Sequence, residues 1–463
     1  MTNIGHHAVV LGASMSGLLT ARVLADFYDT VTLVERDLLP VGYVNRRGVP
    51  QGRHVHALLA GGADIMEELF PGLLDELEHD GTPVFDADLA HTYLSFLGHL
   101  LCRTGRSAYP RRTYVPSRPF LEGHVRRRLR ALANVTVLDG HDIAGVTTTA
   151  AQDRVTGARV ADRRSGDEKT VTADLVVDAT GRGSRTPAWL ERLGYGRPAE
   201  EQVVVKVAYV SQLLRIPAGT MKEKAYLLGA CPGRPTGMAL FGCENDTWMF
   251  TVAAVAGVAP PDDPADMVAC AEGFLPAQAV AALRDAEPLE DVARHGFPAN
   301  RWHRYDKMRR FPAGLLVIGD AVCRFNPTYG QGMSVAALEA KALRDCLRQG
   351  KDDLARRFFK AATKPISVAW QLAVGGDLAL PEIEGPRQLP VRLRNAYVDR
   401  LLAAAEADEC LADMFMRVAA FLDPPSALLR PSIVCRVIVG NRRRRHRPST
   451  VLAPRAHSYT SRG

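Results

Sequence analysis

Several things are scarce in these 463 residues, and each scarcity removes a class of protein. The eight cysteines (102, 231, 243, 270, 323, 346, 410 and 435) form no C-x-x-C pair, which argues against a zinc site or a disulfide framework. No run reaches the ~18 apolar residues of a spanning helix, so no membrane span is expected. Strand-like His7-Ala8-Val9-Val10-Leu11 begins almost at once, which predicts no secretory leader and a cytoplasmic chain. Acid is absent at one place: from Pro425 onward there are nine arginines and neither lysine nor carboxylate. Removing those nine from the 58 basic residues leaves 49 against 51 acidic ones. The net charge of +7 therefore belongs to the end of the chain, chiefly Arg442 to Arg445 and Arg447. That end is read as a solvated, partly disordered tail, and no nucleic-acid partner is expected.

What is present begins with strand, glycine turn, helix, strand. Gly12-Ala13-Ser14-Met15-Ser16-Gly17 is a G-x-S-x-x-G turn between an apolar strand and an amphipathic helix. In this dinucleotide fingerprint the first glycine permits the tight turn and the last permits close helix–strand contact. The helix N-terminus then faces a pyrophosphate. Glu35 ends the second strand, where an acid accepts hydrogen bonds from ribose hydroxyls, and Arg36 beside it can lie along an adenine. By itself the turn does not separate NAD from FAD.

The second site lies far along the chain. Leu315 to Ile318 reads as a buried strand, and Asp320 falls just past its carboxyl end, where ligands of α/β sheets bind. A carboxylate there suits a polyol chain. Gly330 and Gly332 then open a helix expected over 331–349 and allow a flat ring to approach its backbone. The helix N-terminus stabilises negative charge on that ring, as a reduced flavin carries and a nicotinamide does not. His54 and His56 offer a pair of imidazoles on an expected helix, but with no third ligand nearby no metal is expected. Arg126, Arg127, Arg128 and Arg130 read as a solvated helix face, and Arg111 and Arg112 as a surface turn.

Between these motifs the periodicity changes. Residues 79–114 and 201–299 read as an inserted sheet: the first stretch alternates weakly, and in the second, strands recur near 203–216, 225–230, 237–243 and 247–256, with helices expected over 264–272 and 277–285. Val203, Val205, Val207, Phe241, Trp248 and Phe250 are candidates to line an apolar cavity. The fold class expected is α/β. A Rossmann-like nucleotide-binding domain of the glutathione-reductase type is assembled from 1–78, 115–200 and 300–350. The antiparallel substrate domain is inserted into it, a helical region follows over 351–424, and a basic tail occupies 425–463.

The fingerprint at 12–17, Asp178-Ala179-Thr180-Gly181, and Gly319-Asp320-Ala321 through Pro327, Gly330 and Gly332 resemble the FAD-dependent monooxygenases of the para-hydroxybenzoate hydroxylase fold. Arg47-Gly48-Val49-Pro50-Gln51-Gly52-Arg53-His54-Val55-His56, Ser117-Arg118 and Asn326 to Gly330 narrow this to a resemblance to actinomycete flavin epoxidases of polyether-type polyenes. The resemblance covers about two-thirds of the chain and is faint between 200 and 300. It implies an FAD site that includes Arg47, Gly48 and Val49 against the ring, Arg118 near the cofactor, and Asp320 on the ribityl chain. Gly12, Ser14, Met15, Ser16, Gly17, Glu35, Arg36, Gly330, Gly332 and Met333 complete the expected cofactor set. No side chain is nominated as acid or base; the ring-side candidates are Arg47, Pro327 and Gly330. Where the family more often has Asp-Gly this chain has Asp178-Ala179-Thr180-Gly181, so no nicotinamide contact is read from it.

The resemblance implies transfer of an oxygen atom from molecular oxygen, through a flavin C4a-hydroperoxide, to an alkene of an apolar polyketide or terpenoid. Aromatic hydroxylation and reduction of polyprenyl chains are the alternatives, with a non-catalytic flavoprotein more remote. A flavin halogenase ranks low, because the four tryptophans (189, 248, 302, 370) are isolated and no W-x-W occurs. A single dinucleotide fingerprint implies that NADPH or NADH supplies electrons transiently or through a flavin reductase. Substrate identity and oligomeric state are not legible.

Overall fold

A computed structural model describes residues 3–108 and 112–445. Strand β1 (Gly5–Leu11), helix α1 (Met15–Leu24) and strand β2 (Tyr28–Val34) form the first unit, and nearly every apolar side chain in it is buried. Strands Val135–Leu138, Leu175–Asp178 and Leu315–Val317 join them in a five-stranded parallel sheet. Its order runs 315–317, 175–178, β1, β2, 135–138. Helices cover both faces of such a sheet, so its strands read as continuous apolar runs. A three-stranded antiparallel layer (His141–Thr148, Val155–Asp162, Glu168–Thr172) sits between two of its strands in sequence.

The inserted sheet has nine strands, centred on Ala199–Arg215, Thr247–Ala254 and Thr236–Gly242. It is antiparallel except where Ala225–Leu228 runs parallel to Thr92–Phe96. Period-two alternation divides its side chains. Trp248, Phe250 and Val252 pack beneath helices Pro264–Glu272 and Ala277–Arg284, whereas Thr251 and Ala253 face the opposite way into a cavity. Of the six side chains expected to line that cavity only Phe241 does so. Val203, Val205 and Val207 are covered by Val374 of the long helix Leu354–Asp377 and by Leu378 just past its end, and Trp248 and Phe250 belong to the core on the far face.

Two further expectations are corrected by packing. Helix Pro431–Arg445 occupies the start of the segment read as solvated tail, and its Ile433 and Val437 are buried against helix Leu389–Ala405; residues 446–463 lie outside the described residues. Arg126, read as solvated, is buried 3.6 Å from Glu122 and donates to the Gly42 carbonyl at 2.9 Å. Arg127 and Arg128 pair with Glu76, Arg112 pairs with Glu78, and Arg111 lies outside the described residues.

Candidate active site

One cavity of about 1120 Å³ runs between the parallel sheet and the nine-stranded sheet. That exceeds the roughly 300–1,000 Å³ of a pocket for one small ligand, so it has room for two molecules end to end.

Its first end is built on the glycine turn. Gly12 has φ of +100°, and a Cβ there would lie 2.6 Å from the Ala179 carbonyl oxygen. A Cβ on Gly17 would stand 1.8 Å from the Gly12 oxygen, so only glycine lets α1 start this close to β1. Ser14 caps α1 without a side-chain bond to its amides, and the first turn carries no acid. The Ser14 hydroxyl accepts instead from Arg118 Nη2 at 3.0 Å. The leading amides of α1 thus keep their positive character for an anion.

Glu35 is buried at the end of β2. Its carboxylate accepts from the Ala13 amide at 2.8 Å and the Asp37 amide at 3.1 Å, fixing the turn while still bordering the cavity. Arg46 ties this region together. Its guanidinium lies 3.3 Å from Glu35 and 2.8 Å from Glu122, and donates to the Ala13 carbonyl at 2.9 Å. Arg118 donates to the other oxygen of Glu122 at 2.8 Å. Two guanidiniums hold the buried Glu122 below the usual carboxylate range against the opposing pull of burial.

Of the expected cofactor set, Gly12, Ser14, Met15, Ser16, Glu35, Arg36, Gly48, Val49, Arg118, Asp320, Gly330, Gly332 and Met333 line this one cavity, as does Pro327. Gly17 lies behind the turn, where its role is close packing. Arg47 is exposed and outside the lining; its neighbour Arg46 faces the cavity instead. Adjacent side chains of an extended loop point to opposite sides, and the sequence does not reveal which one turns inward.

The middle of the cavity is formed by Gly319-Asp320 and the loop that follows. Gly319 has φ of +68° and donates its amide at 2.6 Å to Glu339, a buried acid that desolvation raises to about 8. Asp320 faces the cavity with no hydrogen-bonded partner among the described residues. Its side chain is open to the cavity, where desolvation raises its pKa and Arg182, Arg324 and Arg118 oppose the shift. Helix Gly332–Leu347 begins here with no acid in its first turn, and a Cβ on Gly332 would meet nothing within 4 Å. That leaves open space against a helix N-terminus, as a flat ring with anionic character requires.

The loop Asn326–Gly330 is held from behind by a network the sequence did not disclose. Asp377, on the last turn of helix Leu354–Asp377, accepts from Asn300 Nδ2 at 2.6 Å, Asn326 Nδ2 at 2.8 Å and the Tyr329 hydroxyl at 3.0 Å. Burial raises this carboxyl to about 6 while its three donors pull the other way. Asp178 plays a similar part for the loop 179–186, accepting from Thr180, Ser184 and Thr186.

The far end is apolar, lined by Leu228, Met238 and Phe241 of the sheet and by Val398, Leu402 and Phe415 from the C-terminal helices. His54 and His56 lie between the two ends, in the loop before helix Ala60–Leu69 and not on a helix. His54 Nδ1 pairs with Ser211 Oγ at 2.8 Å, and Ser211 Oγ lies 2.6 Å from Thr251 Oγ1. Burial pushes His54 down to about 3 and His56 to about 4, so both are neutral at pH 7. Glu76, Asp80 and His124 also cluster, but Arg127 and Arg128 already pair with Glu76 and repel a cation.

A parallel sheet with a glycine turn, a Gly-Asp loop at a later strand end, and a second sheet closing the chamber define a flavin-dependent oxidoreductase. Residues 6–349 match the family described as FAD binding domain, and the chain belongs to that family, which groups FAD-dependent monooxygenases and halogenases with the para-hydroxybenzoate-hydroxylase-like fold. It is 41% identical over 447 residues to Protein Rv3254 of Mycobacterium tuberculosis (strain ATCC 25618 / H37Rv), covering 94% of each chain. Among solved structures, the flavin-dependent brominase Bmp2 superposes with a TM-score of 0.63 at 14% identity, over 95% of this chain and 100% of that one. PqsL, a probable FAD-dependent monooxygenase from Pseudomonas aeruginosa, gives 0.60 at 18% identity over 85% and 99%. At such identity these two structures speak for the fold alone.

The residues present fit FAD. Orphan amides at α1, the unpaired Asp320 carboxylate, and the open cradle at Gly332 occur in the order of a pyrophosphate, a polyol and a ring.

Proposed function

We propose that the chain is a monooxygenase that inserts one oxygen atom into an apolar small molecule, with epoxidation of an alkene as the favoured reaction. The observation that carries this reading is the continuity of one cavity, from the α1 amides past Gly330–Met333 to the apolar wall of the nine-stranded sheet. When bound, FAD supplies the activation of molecular oxygen. The protein supplies placement. Glu35 and Arg36 take the adenosine half, the α1 amides the pyrophosphate, and Asp320 the ribityl hydroxyls. The N-terminus of helix Gly332–Leu347 takes the anionic edge of the ring. Gly48, Val49 and Pro327 border the ring; Arg46, which pairs with Glu35 and Glu122 at the nucleotide end, takes a positioning role there in place of the exposed Arg47. Neutral His54 and His56 add hydrogen-bonding capacity without a charge, and the apolar far wall excludes water that would intercept the reactive oxygen.

NADPH or NADH is proposed as the electron source, either directly or through a reductase. The experiment follows oxygen uptake by the FAD-loaded protein with NADPH, with and without a flavin reductase, on adding members of a polyene panel. Oxygen consumed together with a product bearing one added oxygen supports the reading. A reduced product without stoichiometric oxygen uptake overturns it in favour of a flavin reductase of polyprenyl-type chains.

A further inference from the structure

Arg394, on helix Leu389–Ala405, lines the cavity together with Val398 and Leu402, one and two turns further along the same helix. Arg46 and Arg118, two guanidiniums of the same cavity, share the carboxylate of Glu122. Arg394 has none within 4.0 Å among the described residues. Its Nε is buried without a hydrogen-bond partner, and its Nη1 reaches only the amide oxygen of Gln371 at 3.3 Å. Asp377, which also lines the cavity, has its oxygens occupied by Asn300, Asn326 and Tyr329. A half-buried guanidinium without a counter-ion costs free energy that an incoming anion returns.

The site is also shaped for this side chain. A Cβ on Gly375 would lie 3.0 Å from Arg394 Nη2, and one on the adjacent Gly376 would lie 2.4 Å from the Tyr329 hydroxyl oxygen. Two successive glycines thus admit the guanidinium on one side and the ring-side loop on the other. Asn395 Nδ2 donates to the Gly375 carbonyl at 2.8 Å and pins the two helices together at this point. A guanidinium beside the last turn of a helix also complements that helix's dipole, which on its own is a purely structural role.

We propose that Arg394 anchors a carboxylate at one end of an otherwise apolar substrate, so that the chamber takes amphipathic acids. This rests on the reading of the apolar end as the substrate chamber. A planar fork with five donors matches a carboxylate in two parallel hydrogen bonds, of which the protein itself uses few here. An acid held at Arg394 would leave its apolar body in the same cavity, whose lining includes Val398, Leu402 and Phe241.

Calorimetric titration of the FAD-loaded protein tests this with two pairs of probes, dodecanoate against dodecanol and naphthoate against naphthol. The wild-type protein is expected to bind the acid of at least one pair ten-fold or more tighter than the neutral partner, or about 1.4 kcal/mol. Arg394→Met is expected to abolish that preference while binding the neutral partner unchanged and keeping its flavin absorbance. Equal wild-type affinity for acid and alcohol overturns the proposal, as does an equal loss for both in the variant, which is the signature of a structural role. Binding of neither pair overturns the apolar substrate chamber as well, so the two failures are distinct.

Discussion

Gly17 stands where helix and strand approach most closely at the nucleotide end. Alanine there would drive a methyl group to 1.8 Å from the Gly12 oxygen, so the turn must open and α1 must withdraw its amides. Gly17→Ala is expected to weaken FAD binding at least ten-fold, about 1.4 kcal/mol or more, measured as flavin retained after gel filtration. A yellow variant with unchanged affinity would refute the packing role given to this glycine. His54 makes a separate prediction about pH. Its folded pKa is about 3, below the ordinary 6.5, so the unfolded chain takes up the proton first as pH falls. Stability is therefore lost from about pH 6.5 downward until the folded imidazoles titrate near 4 and 3. Melting temperature should fall over that interval, and His54→Gln should flatten the slope; an unaltered slope contradicts a neutral buried imidazole. At this scale it was legible that the fingerprint, Glu35, Asp320 and Gly332 gather around one cavity, because a glycine turn and acids at strand ends are set by backbone geometry and charge. Arg46 rather than Arg47, and Asp377 altogether, were not. Which of two adjacent arginines turns inward, and which distant helix backs a loop, are tertiary facts.

Among the elements, the helix Leu354–Asp377 links the C-terminal region to the ring-side loop through its final residue. Asp377→Ala would leave Asn300, Asn326 and the Tyr329 hydroxyl without their shared acceptor. A loss of roughly 3 kcal/mol is expected, since several buried donors are orphaned at once. Urea unfolding reads the stability and flavin release reads the loop; loss of stability without faster flavin release would confine Asp377 to the helix packing. Helices and apolar strands announced themselves by period, and Gly332–Leu347 lies within the expected 331–349. The strand Ala293–Arg304 gave no such signal, because Gly296 and Pro298 interrupt it and its side chains are largely polar. It exists through pairing with Ala199–Arg215, across a register shift between Val204 and Val207. The apolar C-terminal helices were legible as helices, but that Val398, Leu402 and Phe415 close the cavity follows only from how they dock.

At the scale of the whole molecule, a nucleotide-binding sheet and a substrate-type sheet face each other across a single chamber that the C-terminal helices complete. This placement brings the two glycine-rich ends, more than 300 residues apart in the chain, to one cofactor-sized cavity. The chemistry proposed for it requires that the oxygen inserted into the substrate come from the gas and not from water. The most direct measurement is mass spectrometry of the product formed when the FAD-loaded protein, reduced without air, is mixed with an apolar alkene and heavy-isotope oxygen gas. The account predicts a product carrying one labelled oxygen atom. A product that is unlabelled, or saturated with no oxygen added, would contradict it.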